Sequence, residues 1–273
     1  MMKNSWLLVG LLCISILSCK PEPKPEEKPV DVPPTTPVIN FNVSGIIPHS
    51  TTYFTEGFLV YNGTFLESTG SPEEIKIAES LIATVDMSSG KTEEKIRLDK
   101  TKYFGEGIVV INDKLYQLTY QNRIGFIYNA KTFKKEGEFA FNSKEGWGMT
   151  TDGKHAIMSD GTSKLTYLLP PDMKAVKSID VTENGYGLGN LNELEWIKGY
   201  IYANIWQSNL IVKIDPSTGK VVGKMDLTSL KNEANATFQY SEVMNGIAYD
   251  SVSNKVYVTG KFWPNIYRIE FER

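Results

Sequence analysis

Carboxylates, aromatic rings and amides recur in this 273-residue sequence at one local place, just ahead of a glycine or a short apolar run. Phe54 and Glu56 precede Gly57, Phe104 and Glu106 precede Gly107, Trp147 precedes Gly148, Asn192 and Glu193 precede Leu194, and Asn245 precedes Gly246. An ionised carboxylate among aromatic rings loses hydration, so it must be paired or its pKa must rise. A carboxyl poised near neutral pH can take a proton from one atom and return it to another. Strain of that kind favours a functional site, and Glu106 is the group it singles out. For Phe54 and Phe104, packing explains the rings as well as ligand contact does. Metal-dependent hydrolysis has little to work with: the histidines are His49 and His155, the cysteines are Cys13 and Cys19, and no His-Glu-x-x-His arrangement occurs.

The elements that would position these residues are strands. Helical periodicity is scarce, whereas short alternating runs rich in Val, Ile, Tyr, Phe and Thr recur between turn signals. One hairpin unit appears five times: from Glu56 to Ser68, Glu106 to Tyr120, Trp147 to Asp160, Asn192 to Trp206 and Asn245 to Lys261, at spacings of 50, 41, 45 and 53 residues. Asn62-Gly63, Asn112-Asp113, Asp152-Gly153 and Lys198-Gly199 tolerate the positive φ of two-residue loops. A second pair of strands follows each hairpin. Four strands at this period predict an all-β fold, a five-bladed β-propeller over residues 39–273, with an open β-sandwich as the rival. Asn265 to Phe271 is expected to pair with Asn40 to Ser44 and close the ring, which removes exposed edges. Residues Thr228 to Gln239 interrupt the repeat as a short helix or a lid. Gly185-Tyr186-Gly187-Leu188-Gly189 has nucleotide-loop spacing but no βαβ unit around it, so it reads as an inter-blade loop.

In a propeller the inner strands line the axis, and in an antiparallel hairpin the start of one strand lies beside the end of the next. One face should therefore gather Phe54, Glu56, Phe104, Glu106, Trp147, Asn192, Glu193 and Asn245 with Glu67, Tyr120, Asp160, Trp206 and Lys261. Aromatic walls with a few carboxylates, an amide and a lysine make a concave small-ligand pocket.

The N-terminus reads as an export segment. Lys3 precedes an apolar run from Trp6 to Leu17, too short for a stable span, and residues 1–18 are taken as a signal peptide. Ile16-Leu17-Ser18-Cys19 resembles a bacterial lipobox, with Cys19 as the lipidated residue; an ordinary signal with an incidental cysteine is the alternative. Residues 19–38, rich in Pro, Glu and Lys, then form a solvated tether. The expected location is the periplasmic or surface side of a bacterial membrane. With no cysteine beyond Cys19, the body must be held by its core. A net charge of −3 and the lack of a long basic stretch argue against nucleic acid as a partner.

Eight segments resemble, in order, the plant and bacterial type of glutaminyl-peptide cyclotransferase. They are Phe54-Thr55-Glu56-Gly57, Glu67-Ser68-Thr69-Gly70, Tyr103-Phe104-Gly105-Glu106-Gly107, Leu115-Tyr116-Gln117-Leu118-Thr119, Gly146-Trp147-Gly148, Leu191-Asn192-Glu193-Leu194-Glu195, Tyr202-Ala203-Asn204-Ile205-Trp206 and Thr259-Gly260-Lys261-Phe262-Trp263-Pro264. The resemblance, which runs from Pro48 to Arg268, implies a five-bladed propeller that cyclises the N-terminal glutamine of peptides or proteins to pyroglutamate and releases ammonia. It places Glu106 on the family's catalytic carboxylate, the general acid and base. Phe54, Phe104, Trp147, Asn192, Trp206 and Lys261 fall on substrate-pocket positions. Two positions depart: Glu56 stands where glutamine is expected and Tyr120 where tryptophan is expected. Tyr120 keeps an aromatic wall. Glu56 adds a second carboxylate that would anchor the substrate's ammonium, raise the Glu106 pKa or narrow the substrate range. A monomer with no cofactor required for catalysis is expected, and the resemblance allows a structural calcium near the axis. Two other functions stay open: a propeller glycosidase using two of Glu56, Glu106, Asp160 and Glu193, and a surface propeller that binds peptides or glycans without chemistry.

Overall fold

The computed structural model describes residues 35–272, so the signal segment, Cys19 and most of the tether lie outside the described residues. β-Branched and aromatic runs separated by turns form five antiparallel four-stranded sheets. From inside to outside, blade 1 comprises Phe54–Tyr61, Thr64–Gly70, Leu81–Val85 and Thr92–Arg97; blade 2 comprises Gly105–Ile111, Lys114–Thr119, Ile124–Asn129 and Lys135–Ala140. Blade 3 has Met149–Thr151, Ala156–Met158, Lys164–Leu169 and Lys174–Asp180; blade 4 has Leu191–Ile197, Tyr200–Ile205, Leu210–Ile214 and Val221–Asp226. Blade 5 takes Met244–Asp250, Lys255–Gly260 and Asn265–Phe271, then borrows Phe41–Pro48 from the start of the chain. Phe41 pairs with Phe271 and Pro48 with Asn265, so the closing strand runs four residues beyond the expected Asn40 to Ser44. Each inner strand touches the inner strands of both neighbours, and the ring is closed.

The core is divided rather than central. Five apolar clusters sit one between each adjacent pair of blades, for example Phe58, Phe65, Tyr257 and Ile266 between blades 1 and 5, and Leu66, Ile108, Leu115 and Phe126 between blades 1 and 2. A blade covered on both faces has no solvent side near the axis, which is why its inner strands read as apolar runs. The backbone can pack this closely only at glycine: a Cβ on Gly148 would meet the Asn192 carbonyl oxygen at 2.1 Å.

Local chemistry accounts for the departures. Asp152-Gly153 is part of a four-residue loop, because Thr151 pairs with Ala156 and the Asp152 carboxylate accepts the N–H groups of Lys154 and His155 at 2.9 and 2.7 Å. The helix, Thr228–Thr237, buries Leu230 and Ala234 against the core between blades 4 and 5. The segment around Gly185 is a small hairpin pairing Thr182–Glu183 with Tyr186–Gly187, turned by Asn184 and Gly185 at φ 52° and 86°. Attachment begins within the stretch assigned to the tether: Lys224 N–H donates to Pro37 O at 2.9 Å and Ile39 N–H to Lys224 O at 2.7 Å.

A buried polar cluster fastens the ring closure to blade 1. His49 faces the Trp263 carbonyl through Nδ1 at 2.6 Å and both Glu67 carboxylate oxygens through Nε2 at 3.0 and 3.1 Å, while Thr55 Oγ1 donates to Glu67 at 2.7 Å. Glu67 pairs with Phe58 in mid-strand, so its side chain serves this junction and not the pocket face on which it was expected. Thr55 pairs with Thr69 as Gly105 pairs with Thr119, so blade 1 has Gly70 at the position that Tyr120, Trp206 and Lys261 occupy in other blades.

Candidate active site

The residues that the sequence pattern singles out sit at irregularities in the ladder. Thr55 pairs with Thr69 but Gly57 with Ser68, leaving Glu56 over; Gly105 pairs with Thr119 but Ile108 with Gln117, leaving Glu106 and Gly107 opposite Leu118. The same shift frees Asn192 and Glu193 in blade 4 and Asn245 and Gly246 in blade 5. A bulge bends the strand and re-aims the extra side chain. Here it recurs at one end of the ring and turns those side chains out of the ladder. The glycine that follows in blade 2 lets the next blade approach, with Gly107 N–H donating to Trp147 O at 2.7 Å.

Phe54, Glu56, Phe104, Glu106, Tyr120, Trp147, Asn192, Trp206 and Lys261 all line one cavity of about 470 Å³. Pro72 and Glu74 complete it from a loop between the second and third strands of blade 1, where no periodic pattern marks them. The rings form two groups. Phe54 meets Phe104 edge-on at 6.1 Å and Phe104 meets Tyr120 at 5.7 Å, while Trp147 and Trp206 cross at 76° with centroids 5.5 Å apart. Phe104 rests on Gly70, where a Cβ would come within 2.1 Å of the ring.

Besides Glu67, three residues expected on this face lie elsewhere. Asp160 turns toward Ser143 and Thr162 in the groove beside blade 3. Asn245 is fully buried, with its amide donating to Thr55 O at 3.0 Å and to Glu56 Oε2 at 3.1 Å. Glu193 points along the axis, where it accepts the backbone N–H groups of Ile247 at 2.8 Å and Phe58 at 3.2 Å. Pairing of strand ends alone does not predict these directions, because each bulge changes which side chains face the cavity.

Glu106 is 4% exposed, and among the described residues nothing hydrogen-bonds its carboxyl. Its backbone is firmly held: Ser68 Oγ donates to the Glu106 carbonyl at 2.5 Å, Gln117 Nε2 donates to Ser68 Oγ at 3.0 Å, and the Tyr128 hydroxyl donates to Gln117 at 3.2 Å. Burial drives the Glu106 pKa well above the ordinary carboxylate value; the charge of Glu56 adds to the rise, Lys261 opposes it, and Glu145 contributes further.

A family model described as glutamine cyclotransferase matches residues 11–271. The chain belongs to the glutamine cyclotransferase family. It is 37% identical over 228 residues to the glutaminyl-peptide cyclotransferase of Arabidopsis thaliana, a match covering 83% of this chain and 69% of the plant protein. Its fold is similar to the crystal structure of Myxococcus xanthus glutaminyl cyclase, with a TM-score of 0.76 and 30% identity over 86% of this chain and 98% of that one.

In this cyclotransferase Glu56 is held by its neighbours. Lys261 Nζ donates to Glu56 Oε1 at 2.7 Å while lying 4.2 Å from the centre of the Phe54 ring, and Asn245 takes the other oxygen. Burial raises the Glu56 pKa and Lys261 pulls it back. The pair is 3% and 5% exposed, so Lys261 is anchored rather than mobile. Asn192 is 3% exposed and its Oδ1 has no hydrogen-bond partner among the described residues, an orphan acceptor on the cavity wall. Among the described residues no group of three or more His, Cys, Asp or Glu could hold a metal ion, and Glu193 accepts two backbone N–H groups.

Proposed function

We propose that this cyclotransferase converts the N-terminal glutamine of peptides or proteins to pyroglutamate with release of ammonia, and that Glu106 moves the proton. The observation that carries this reading is a buried carboxyl without hydrogen bonds among the described residues, its pKa well raised, lining an aromatic cavity with room for a glutamine residue. In the reaction the α-nitrogen bonds to the side-chain amide carbon, the carbon–nitrogen bond of that amide breaks, and one proton passes from the attacking to the departing nitrogen, which leaves as ammonia. A single carboxyl that first accepts and then returns the proton completes this balance.

The aromatic walls favour a folded glutamine whose amine and amide carbon are already in contact, the arrangement with the largest rate advantage. The Asn192 side chain lines the cavity, and the Lys261 ammonium supports negative charge developing on the carbonyl oxygen. Of the carboxylates weighed as a glycosidase's partner for Glu106, Asp160 and Glu193 lie outside the cavity and Glu56 commits its oxygens to Lys261 and Asn245. The cyclase reading is tested by coupled ammonia release from a Gln-initiated dipeptide, with the Asn-initiated peptide as control. Turnover of the first alone is expected; binding of Gln peptides without ammonia would leave a binding module.

Replacing Glu56 checks the electrostatics. Glu56→Gln removes a like charge from beside Glu106 and frees Lys261 from its partner, and both changes lower the Glu106 pKa. The acid limb of kcat, which reports the enzyme–substrate complex, should move to lower pH. An unmoved limb, or one displaced to higher pH, would show that Glu56 does not set the state of Glu106.

A further inference from the structure

A second cavity of about 500 Å³ adjoins the Glu106 pocket and is lined by Ile75, Ile77, Phe238, Tyr240, Val243 and Phe262 among others. The two share one partition. Phe54 faces the first cavity and Phe262 the second, with ring centroids 5.2 Å apart. Residues 72–77 supply Pro72 and Glu74 to the first and Ile75 and Ile77 to the second. Lys261, whose side chain lines the first, exchanges backbone hydrogen bonds with the segment beneath the second: Glu242 N–H donates to Lys261 O at 2.8 Å and Lys261 N–H to Val243 O at 3.0 Å.

We propose that this second cavity receives the side chains at positions 2 and 3 of a peptide whose N-terminal glutamine occupies the Glu106 pocket, and that it favours apolar or aromatic ones there. The inference rests on the cyclase reading above. A peptide advances about 3.3–3.6 Å per residue when extended, so one or two residues cross a partition one ring pair thick. Ile77 and Tyr240 are 62% and 67% exposed at the rim, apolar surface that the fold itself leaves uncovered. Phe238 and Tyr240 pack edge-on at 5.5 Å, giving a preformed aromatic wall. The lysine of this cavity is not a free cation, since Lys231 Nζ donates to Asn235 Oδ1 at 2.6 Å and Ser241 O at 3.0 Å. Glu242 is exposed at the edge and would repel acidic side chains.

The test compares kcat/KM for glutamine amide, Gln-Gly-Gly and Gln-Leu-Phe in the full chain and in an Ile77→Ser/Tyr240→Ser double variant, both positions being exposed enough to change without disturbing the core. Burial of one or two apolar side chains should give Gln-Leu-Phe an advantage of about tenfold or more over Gln-Gly-Gly in the parent. The double variant should lose most of that advantage while turning over glutamine amide as the parent does. Equal rates on the two tripeptides in the parent, an advantage retained by the variant, or a parallel loss on glutamine amide would each overturn the subsite. Absence of ammonia from all three substrates in the parent is a different result: it fails the cyclase reading, and the subsite with it.

Discussion

Glu106→Gln is expected to fold at least as stably as the parent and to lose ammonia release from Gln-initiated peptides by a factor of about 10²–10⁴ or more, the range of general acid–base assistance. The fold should survive because the contacts that hold this residue are made by its backbone, through Ser68 Oγ and through the neighbouring Gly107 N–H. The carboxyl itself costs stability. Its folded pKa lies well above the ordinary value, so the native state binds a proton more tightly than the unfolded chain, and stability falls as pH rises through the carboxylate range and on toward the folded pKa. A neutral amide of the same shape removes that penalty. The Tm of the variant should therefore equal or exceed that of the parent, with the gap widest on the alkaline side. Near-parental turnover by a folded Glu106→Gln protein would end the assignment of Glu106 as proton carrier. A collapse in Tm alongside the lost activity would show instead that the carboxyl is structural.

The blade count and the set of cavity residues were both legible before any coordinates, for related reasons. Inner strands packed on both faces leave an apolar run, and the bulge ahead of that run in blades 1, 2, 4 and 5 holds a polar residue, followed in three of them by glycine. Glu56-Gly57 and Glu106-Gly107 are therefore architecture and site at once. Direction was not legible. Glu67, Asp160, Asn245 and Glu193 have the same residue types as their neighbours in the cavity. Whether such a side chain faces the cavity, a neighbouring blade or the axis depends on one residue of register that only the pairing shows. Loop contributions such as Pro72 and Glu74 have no period to betray them, and neither does the second cavity, whose lining comes from four separate loops and Lys231 of the helix. Glu56 shows how a departure from a family pattern is read physically. As a lone carboxylate it allowed three roles, but its contacts with Lys261 and Asn245 leave the electrostatic one with direct support.

The largest expected loss of stability falls at the ring closure, far from the chemistry. Both nitrogens of His49 face acceptors, the Trp263 carbonyl on one side and the Glu67 carboxylate on the other, so the imidazole carries two protons. Burial works against that charge, but the Coulombic pull and hydrogen bond of Glu67, with the bond to Trp263, outweigh it and hold the His49 pKa above its usual value. Glu67→Ala would leave an imidazolium buried without its counter-charge, a change that typically costs roughly 3–5 kcal/mol, or roughly 6–20 °C in Tm for a chain of this size. Replacing both partners with apolar residues, His49→Leu with Glu67→Leu, should cost less, because no charge is then left buried without its counter-charge. The pH dependence has a definite sign. A folded pKa above the unfolded one gives stability that is complete below the unfolded histidine value, about 6.5, and is lost as pH rises through the folded value. The parent's Tm should decline more steeply across that window than the double variant's, which keeps only the decline due to buried carboxyls such as Glu106. If Glu67→Ala shifts Tm by less than a degree or two, or the parent and double variant share one pH profile, the closure is held by strand pairing and the inter-blade core alone.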